Sequence, residues 1–321
     1  MHSFEELAVD FKKRFDTPHF PAQPETLYTS CDYFLSLGGK RIRPVMCLMG
    51  NELFGEINPD IYHVATAIEL FHNFTLIHDD IMDAASLRRG MQTVHTKFGT
   101  NTALLGGDVM LVTAYEYLNK ISVGYLHRVL TLFNKTAKEV CEGQQLDIDF
   151  ETKENVSLDE YIKMIELKTS VALAASLQVG AILGGASEGN RRHLYEFGRN
   201  LGIAFQIQDD YLDAFGDPEK FGKDAGGDIR QNKKTFLLIH ALESSSADQR
   251  KELLQLMKDN PEDKVQRVLS IFKACNADQW AWDLKQQYLD IALQHLEDTA
   301  VVSSRKKPLK DLADYLIQRE H

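Results

Sequence analysis

The chain has 321 residues, 44% of them hydrophobic and 26% charged, with a net charge of −11. That composition fits a globular protein with a sizeable core, and the acidity argues against a nucleic-acid partner, whose binding requires basic surface. Four scattered cysteines (Cys31, Cys47, Cys141 and Cys275) form no C-x-x-C pair and read as thiols of a reducing compartment.

Residues 1–6 lack a basic segment followed by an apolar one, and no run of about 18 apolar residues is present. The expectation is a cytoplasmic protein with no membrane span. In chain order, Phe4, Leu7, Ala8, Phe11 and Phe15 give a short amphipathic helix. A second helix carries Leu27, Cys31, Phe34 and Leu35 and stops at Gly38-Gly39. Lys40-Arg41-Ile42-Arg43 follows, with Pro44 placed for the first turn of a third helix. Three cations at a glycine-rich helix junction suit an anion; the same residues also fit a solvated basic turn.

A long helix is predicted from about residue 60 to 85. It contains His72, Phe74 and Ile77-His78-Asp79-Asp80-Ile81-Met82-Asp83. A second copy of the pattern, Ile207-Gln208-Asp209-Asp210-Tyr211-Leu212-Asp213, lies 130 residues further on and closes another helical segment. The first and last aspartates of each set are at i and i+4, on one helix face. Carboxylates crowded on one turn repel, so a cation is expected between them. Hard oxygen ligands select Mg²⁺, which commonly bridges one or two carboxylates to a phosphate. One Asp-Asp pair would read as a solvated acidic face. Two copies embedded in apolar residues point instead to two facing carboxylate walls that hold a diphosphate through Mg²⁺.

His72 lies about 20° from Asp79 on the wheel, on the carboxylate face. Arg88-Arg89-Gly90 follows the first set; guanidinium groups bind phosphate bidentately and can also neutralise the aspartates, two compatible roles. Helices are predicted over 102–120 and 124–150, the second interrupted by the polar patch Gly143-Gln144-Gln145-Leu146-Asp147. Ser157 to Glu160 forms a capping box. The helix it opens carries Lys168-Thr169 and then small residues suited to close packing. A helix after Asn190 leads to the second aspartate set. The glycine-rich segment 217–234, with Lys223, Asp228, Lys233 and Lys234, reads as a binding loop or lid. The remainder is amphipathic helix. No strand and no linker is evident, so one all-α domain over 1–321 is expected.

With these residues in place, the chain resembles the trans-isoprenyl diphosphate synthases, the polyprenyl synthetase family. Gly-Gly-Lys-Arg-Ile-Arg-Pro at 38–44, Asp-Asp-x-x-Asp at 79–83, Arg-Arg-Gly at 88–90 and Gly-Gly-Asp at 106–108 carry the resemblance. So do Gly143-Gln144, Lys168-Thr169, Gly-Lys at 222–223 and Phe-Gln-Ile-Gln-Asp-Asp-Tyr-Leu-Asp at 205–213. The resemblance implies a bundle of antiparallel helices around a central cavity, the isoprenoid synthase type I fold. It implies a homodimer as well, with which the small-residue segments are compatible.

By position, it also implies that Lys40, Arg43, His72 and Arg89 hold the diphosphate of isopentenyl diphosphate. Asp79, Asp83 and Asp209 would bind Mg²⁺, with Asp80, Asp210 and Asp213 completing the two sets. Arg88, Lys168, Lys223 and Lys233 would hold an allylic diphosphate (dimethylallyl, geranyl or farnesyl). Thr169 and Gln206 would line the reacting centre. The implied reaction is a Mg²⁺-dependent head-to-tail condensation. The allylic C–O bond ionises, the leaving diphosphate is stabilised electrostatically, and the double bond of isopentenyl diphosphate attacks. A proton then leaves to the diphosphate, with water excluded.

In the family, bulk just before the first aspartate set forms the floor of the product pocket. Phe74 and Thr75 occupy the fifth and fourth positions upstream, which resembles short-chain enzymes and favours C20 over C15. On an ideal wheel Phe74 falls about 140° from Asp79 and Thr75 about 40°, so Phe74 reads either as floor or as core. Two other functions compete. A class I terpene cyclase needs no second diphosphate site, and a non-catalytic partner subunit would be expected to have lost aspartates. A closing role for the tail Arg319-Glu320-His321 is a further expectation.

Overall fold

The structure, a computed structural model, describes residues 1–216 and 226–318. Lys223 and the tail 319–321 lie outside the described residues. The described chain is helical almost throughout, as expected. It groups into two compact units, Met1–Phe133 with Ser176–Arg191, and Asn134–Ala175 with Arg192–His321. Their boundaries fall within helices, where composition gives no linker signal.

The chain opens with α1 (Phe4–Phe15), α2 (Glu25–Ser36), α3 (Ile42–Glu52) and α4 (Ile61–Met82). Ser3 and Glu6 cap α1 reciprocally, and Leu7, Phe11 and Phe15 put its one apolar stripe in the core. A two-residue hairpin follows, β1 (Leu87–Arg88) with β2 (Met91–Gln92). It is the one departure from the all-helix expectation among the described residues. Arg89 and Gly90 both have positive φ, 53° and 76°, the two-residue turn that matches strand twist. Next come α5 (Val94–Phe98), α6 (Thr100–Leu118) and α7 (Val123–Thr152). A core of the first unit gathers Cys31, Phe34, Ile77, Val94, Ala103 and Met110.

The capping box predicted at Ser157 opens α8 (Leu158–Ile165). The helix then widens into a π-helical turn, Glu166–Ser170, before α9 (Val171–Leu183). Further along α9, Gly180 lies in a close helix contact. In the first unit a Cβ on Gly180 would stand 2.2 Å from the carbonyl oxygen of Cys47 on α3. The run Leu158–Leu183 is long and apolar enough to cross a membrane, which the sequence reading did not single out. However, 78% of its apolar window is buried inside the protein, as in a core helix.

The second aspartate set lies on α10 (Glu188–Phe215), which begins slightly earlier than predicted. A short α11 (Gly227–Arg230) follows, then α12 (Phe236–Ser244), α13 (Ala247–Asp259), α14 (Lys264–Ala274), α15 (Ala277–Asp298) and α16 (Ser303–Ile317). The core of the second unit includes Tyr161, Ile207, Phe236, Leu253, Phe272 and Ala281. It fixes the inner face of α10 and leaves Asp209 and Asp213 only half-buried.

Candidate active site

In the first unit, the Gly38–Arg43 loop is held by its middle cation. Arg41 takes a left-handed conformation (φ 52°) at the start of α3. Its side chain pairs with Glu69, which is buried on α4, and it donates to the Leu35 carbonyl at 3.3 Å. Glu69 also accepts from Asn73 Nδ2 at 3.0 Å. The loop is thus anchored by a buried, hydrogen-bonded ion pair, and Lys40 stays exposed beside it. A left-handed non-glycine residue stores about 1–3 kcal/mol of strain and is concentrated at functional sites. Arg41 and Arg89 are both of this kind.

Arg43 donates from Nη1 to His72 Nε2 at 3.1 Å, while its buried Nε has no hydrogen-bond partner. Burial, then the charges of Arg43, Arg89, Arg88 and Arg41, hold the His72 pKa well below its ordinary value. The imidazole is therefore neutral and can accept from Arg43. The hairpin brings the second cationic motif to the first. Arg89 donates to the Gly38 carbonyl, and a Cβ on Gly39 would stand 2.9 Å from its Nη2. The Arg89 pKa is lowered by burial and then by Arg41 and Arg88. Four arginines around a neutral histidine form a cation-rich cluster whose chemistry suits an anion.

The first aspartate set divides by burial. Asp79 is half-buried and Asp83 exposed, one turn apart. Asp83 caps α4 rather than lying inside it, and its N–H donates to the Asp79 carbonyl at 2.8 Å. Asp80 is 1% exposed. Arg88 grips it from Nε at 2.8 and 2.9 Å and from Nη2 at 2.8 Å. This is the neutralising role open to Arg88 from sequence, and it is compatible with a phosphate contact.

In the second unit the same division recurs with different partners. Asp210 is 8% exposed and accepts from the Tyr161 hydroxyl and from Gln206 Nε2, the latter at 2.9 Å. Burial, reinforced by Asp228, pushes its carboxyl up to about 7, against the pull of the Tyr161 and Gln206 hydrogen bonds. Thr169 Oγ1 donates to Gln206 Oε1 at 3.4 Å, so Thr169, Gln206 and Asp210 form one hydrogen-bonded line. Asp213 Oδ2 accepts the Asp228 N–H at 3.0 Å.

Lys168 sits in the π-helical turn with Nζ 2.6 Å from Asp147 Oδ2. A Cβ on Gly143 would stand 2.2 Å from the Lys168 backbone nitrogen. That glycine lets α7 press against the turn which presents the lysine. Beside it Gln144 is 8% exposed, and neither its Oε1 nor its Nε2 has a partner. Lys233 Nζ lies 3.5 Å from Asp228 Oδ1.

Asp79 with Asp83, and Asp209 with Asp213, are each hard carboxylates one helical turn apart and accessible at least in part. That donor set fits Mg²⁺. The buried Asp80 and Asp210 are hydrogen-bonded inward, to Arg88 and to Tyr161 and Gln206. Phe74 packs edge-on to His78 (ring centroids 4.8 Å) and against Phe71 (5.8 Å), beside the first unit's core. Thr75 Oγ1 donates to the His72 carbonyl at 2.8 Å.

Sequence reading gave no role to Glu69, Asp147 and Tyr161, and none to Gln144 beyond its place in the Gly143-Gln144 match. For Asp147 and Gln144 a signal existed, the polar patch that breaks the amphipathic pattern of α7. For Tyr161 none did.

A family model described as Polyprenyl synthetase matches residues 24–274. The chain is 40% identical over 303 residues to a geranylgeranyl pyrophosphate synthase of Geoglobus acetivorans, covering 93% of this chain and 92% of that one. Among solved structures, a geranylgeranyl pyrophosphate synthase superposes with a TM-score of 0.95 at 42% identity over 100% of both chains. A geranylgeranyl pyrophosphate synthetase from Pyrococcus horikoshii Ot3 gives 0.91 at 35% identity, over 98% of this chain and 99% of that one. The architecture is that of the all-α isoprenoid synthases.

Proposed function

The chain belongs to the polyprenyl synthetase family, and from that premise we propose the substrates, metal and residues of its reaction. It is a prenyltransferase that condenses isopentenyl diphosphate with allylic diphosphates, and its product is the C20 geranylgeranyl diphosphate. The observation that carries this reading is the cation cluster of the first unit. Arg43, with its orphaned Nε, the neutral His72 that aligns it, and Arg89 offer a diphosphate site distinct from the two aspartate sets. A cyclase, which ionises a single allylic diphosphate, has no use for it.

Lys40, Arg43 and Arg89 bind the diphosphate of isopentenyl diphosphate, with His72 orienting Arg43. Asp79, Asp83, Asp209 and Asp213 hold Mg²⁺, which when bound neutralises the charge that develops on the allylic leaving group. Lys168, presented by the π-turn and steadied by Asp147, binds the same diphosphate together with Lys233 and with Lys223, which lies outside the described residues. Arg88 supports them through Asp80. The oxygen dipoles of Thr169 and Gln206 stabilise the allylic cation without capturing it. The enzyme works as one catalytic domain and as a homodimer in the cytoplasm. Supporting the last two points are an exposed apolar face on α6, where Leu105 is 57% and Val112 59% exposed, and the free thiols Cys31, Cys47, Cys141 and Cys275.

The test is incubation with Mg²⁺, isopentenyl diphosphate and each allylic diphosphate, with products separated by length. Elongation that stops at C20 is expected. Asp79→Ala and Asp209→Ala are expected to lose Mg²⁺-dependent turnover by at least about a hundredfold while keeping the native circular dichroism. Normal turnover in either variant would show that the metal assignment is wrong, and a cyclic hydrocarbon made without isopentenyl diphosphate would establish the cyclase.

A further inference from the structure

In the second unit, at the far end of α10 from the second aspartate set, two helices bring together a different kind of donor. His193, near the start of α10, and His295, in the last turn of α15, place their Nδ1 atoms 3.2 Å apart. Asp298, three residues beyond His295, offers a carboxylate oxygen, and the three ligand atoms all lie within 4.8 Å of one another. Both histidines are half-buried and Asp298 is exposed.

We propose that His193, His295 and Asp298 form a binding site for a borderline transition cation, Zn²⁺ above all, separate from the Mg²⁺ chemistry of the aspartates. The distance between the imidazoles supports this directly. Two nitrogens on one tetrahedral zinc, each about 2.0–2.1 Å from the ion, stand about 3.3 Å apart. The observed 3.2 Å therefore admits the ion between the rings with almost no movement of either helix. Asp298, on the surface, closes the third position by side-chain rotation, and water takes the fourth.

The donor types choose the metal. Two imidazoles and one carboxylate favour Zn²⁺ over Mg²⁺, which prefers an all-oxygen shell. The surroundings agree. His295 and Asp298 are at i and i+3, on one face of α15, and they sit at its C-terminal end, where the helix dipole favours a cation. Asp298 Oδ1 accepts from Gln294 Nε2 at 2.9 Å, the sort of outer contact that orients a ligating carboxylate. A bound ion ties the first turns of α10, the helix that carries Asp209 near its other end, to the last turn of α15. The site is a structural pin rather than a second reaction centre.

The competing reading is a plain hydrogen bond between the imidazoles, and it binds no metal. Untagged protein, stripped of metal and kept in excess Mg²⁺, is titrated with Zn²⁺ against a chromophoric chelator and, separately, with Co²⁺. The expected result is one Zn²⁺ per chain, visible Co²⁺ bands of tetrahedral intensity, and a Tm that rises with Zn²⁺. His193→Gln and His295→Gln, which keep a hydrogen-bonding side chain, are expected to weaken Zn²⁺ at least about 10–100-fold. They should also abolish the Co²⁺ bands with no change in the metal-free Tm. Failure of the unaltered protein to bind Zn²⁺ in excess Mg²⁺, or binding that survives in both variants, overturns the proposal.

Discussion

His72 shows how much a single side chain's environment decides. On the wheel it shares the face of Asp79, yet in the fold it accepts a hydrogen bond from Arg43, and burial, then the arginines around it, keep it neutral. Its folded pKa is depressed below the unfolded value of about 6.5, so its contribution to stability is complete above that pH. The contribution falls away as pH drops below 6.5, because the unfolded chain then takes a proton that the folded one refuses. His72→Gln is expected to flatten the fall in the urea midpoint between about pH 6.5 and 5; an unchanged slope would mean that His72 is not held neutral. Phe74, whose ring lies on His78 and Phe71, carries the other residue-scale prediction. Phe74→Ala is expected to lengthen the product beyond C20 by at least one C5 unit, read by chromatography of the dephosphorylated products. An unchanged product places the floor elsewhere.

Among the elements, what the sequence made legible was periodic. The long helices, the capping box at Ser157 and Glu160, and the glycine stop after α2 follow from spacing and cap chemistry, and the structure has them. Two elements escaped because their signal is not periodic. The hairpin turns at Arg89-Gly90, where an arginine occupies a position that usually advertises itself as asparagine or glycine. The π-turn at Glu166–Ser170 widens a helix by one residue's worth of backbone, which leaves the hydrophobic pattern nearly unbroken. The buried halves of the aspartate sets were hidden for a different reason. Asp80 depends on Arg88 and Asp210 on Tyr161, partners that only the tertiary fold supplies. Because the π-turn is pressed by α7, Gly143→Ala is expected to cost about 1–3 kcal/mol. It should also lower kcat by displacing Lys168, measured as a drop in denaturation midpoint alongside steady-state rates. Native rates and stability together would mean that the contact at Gly143 is slack.

For the molecule as a whole, the net charge of −11 hides local clusters of cations at 40–43 and 88–89. Its apolar surface is uneven too. Leu105 and Val112, seven residues apart on α6, are both more than half exposed, a face that an isolated chain would leave in water. Val112→Glu is expected to convert a dimer into a monomer in light scattering; a dimer that persists moves the interface off α6.

Gln144 leaves one consequence for the whole fold. Its amide is shut away from water with both polar atoms unanswered, so the dehydration that binding would otherwise demand has already been met during folding. A buried amide without partners costs the fold about 1–3 kcal/mol. Selection for thermal endurance alone would replace this glutamine with a hydrocarbon side chain.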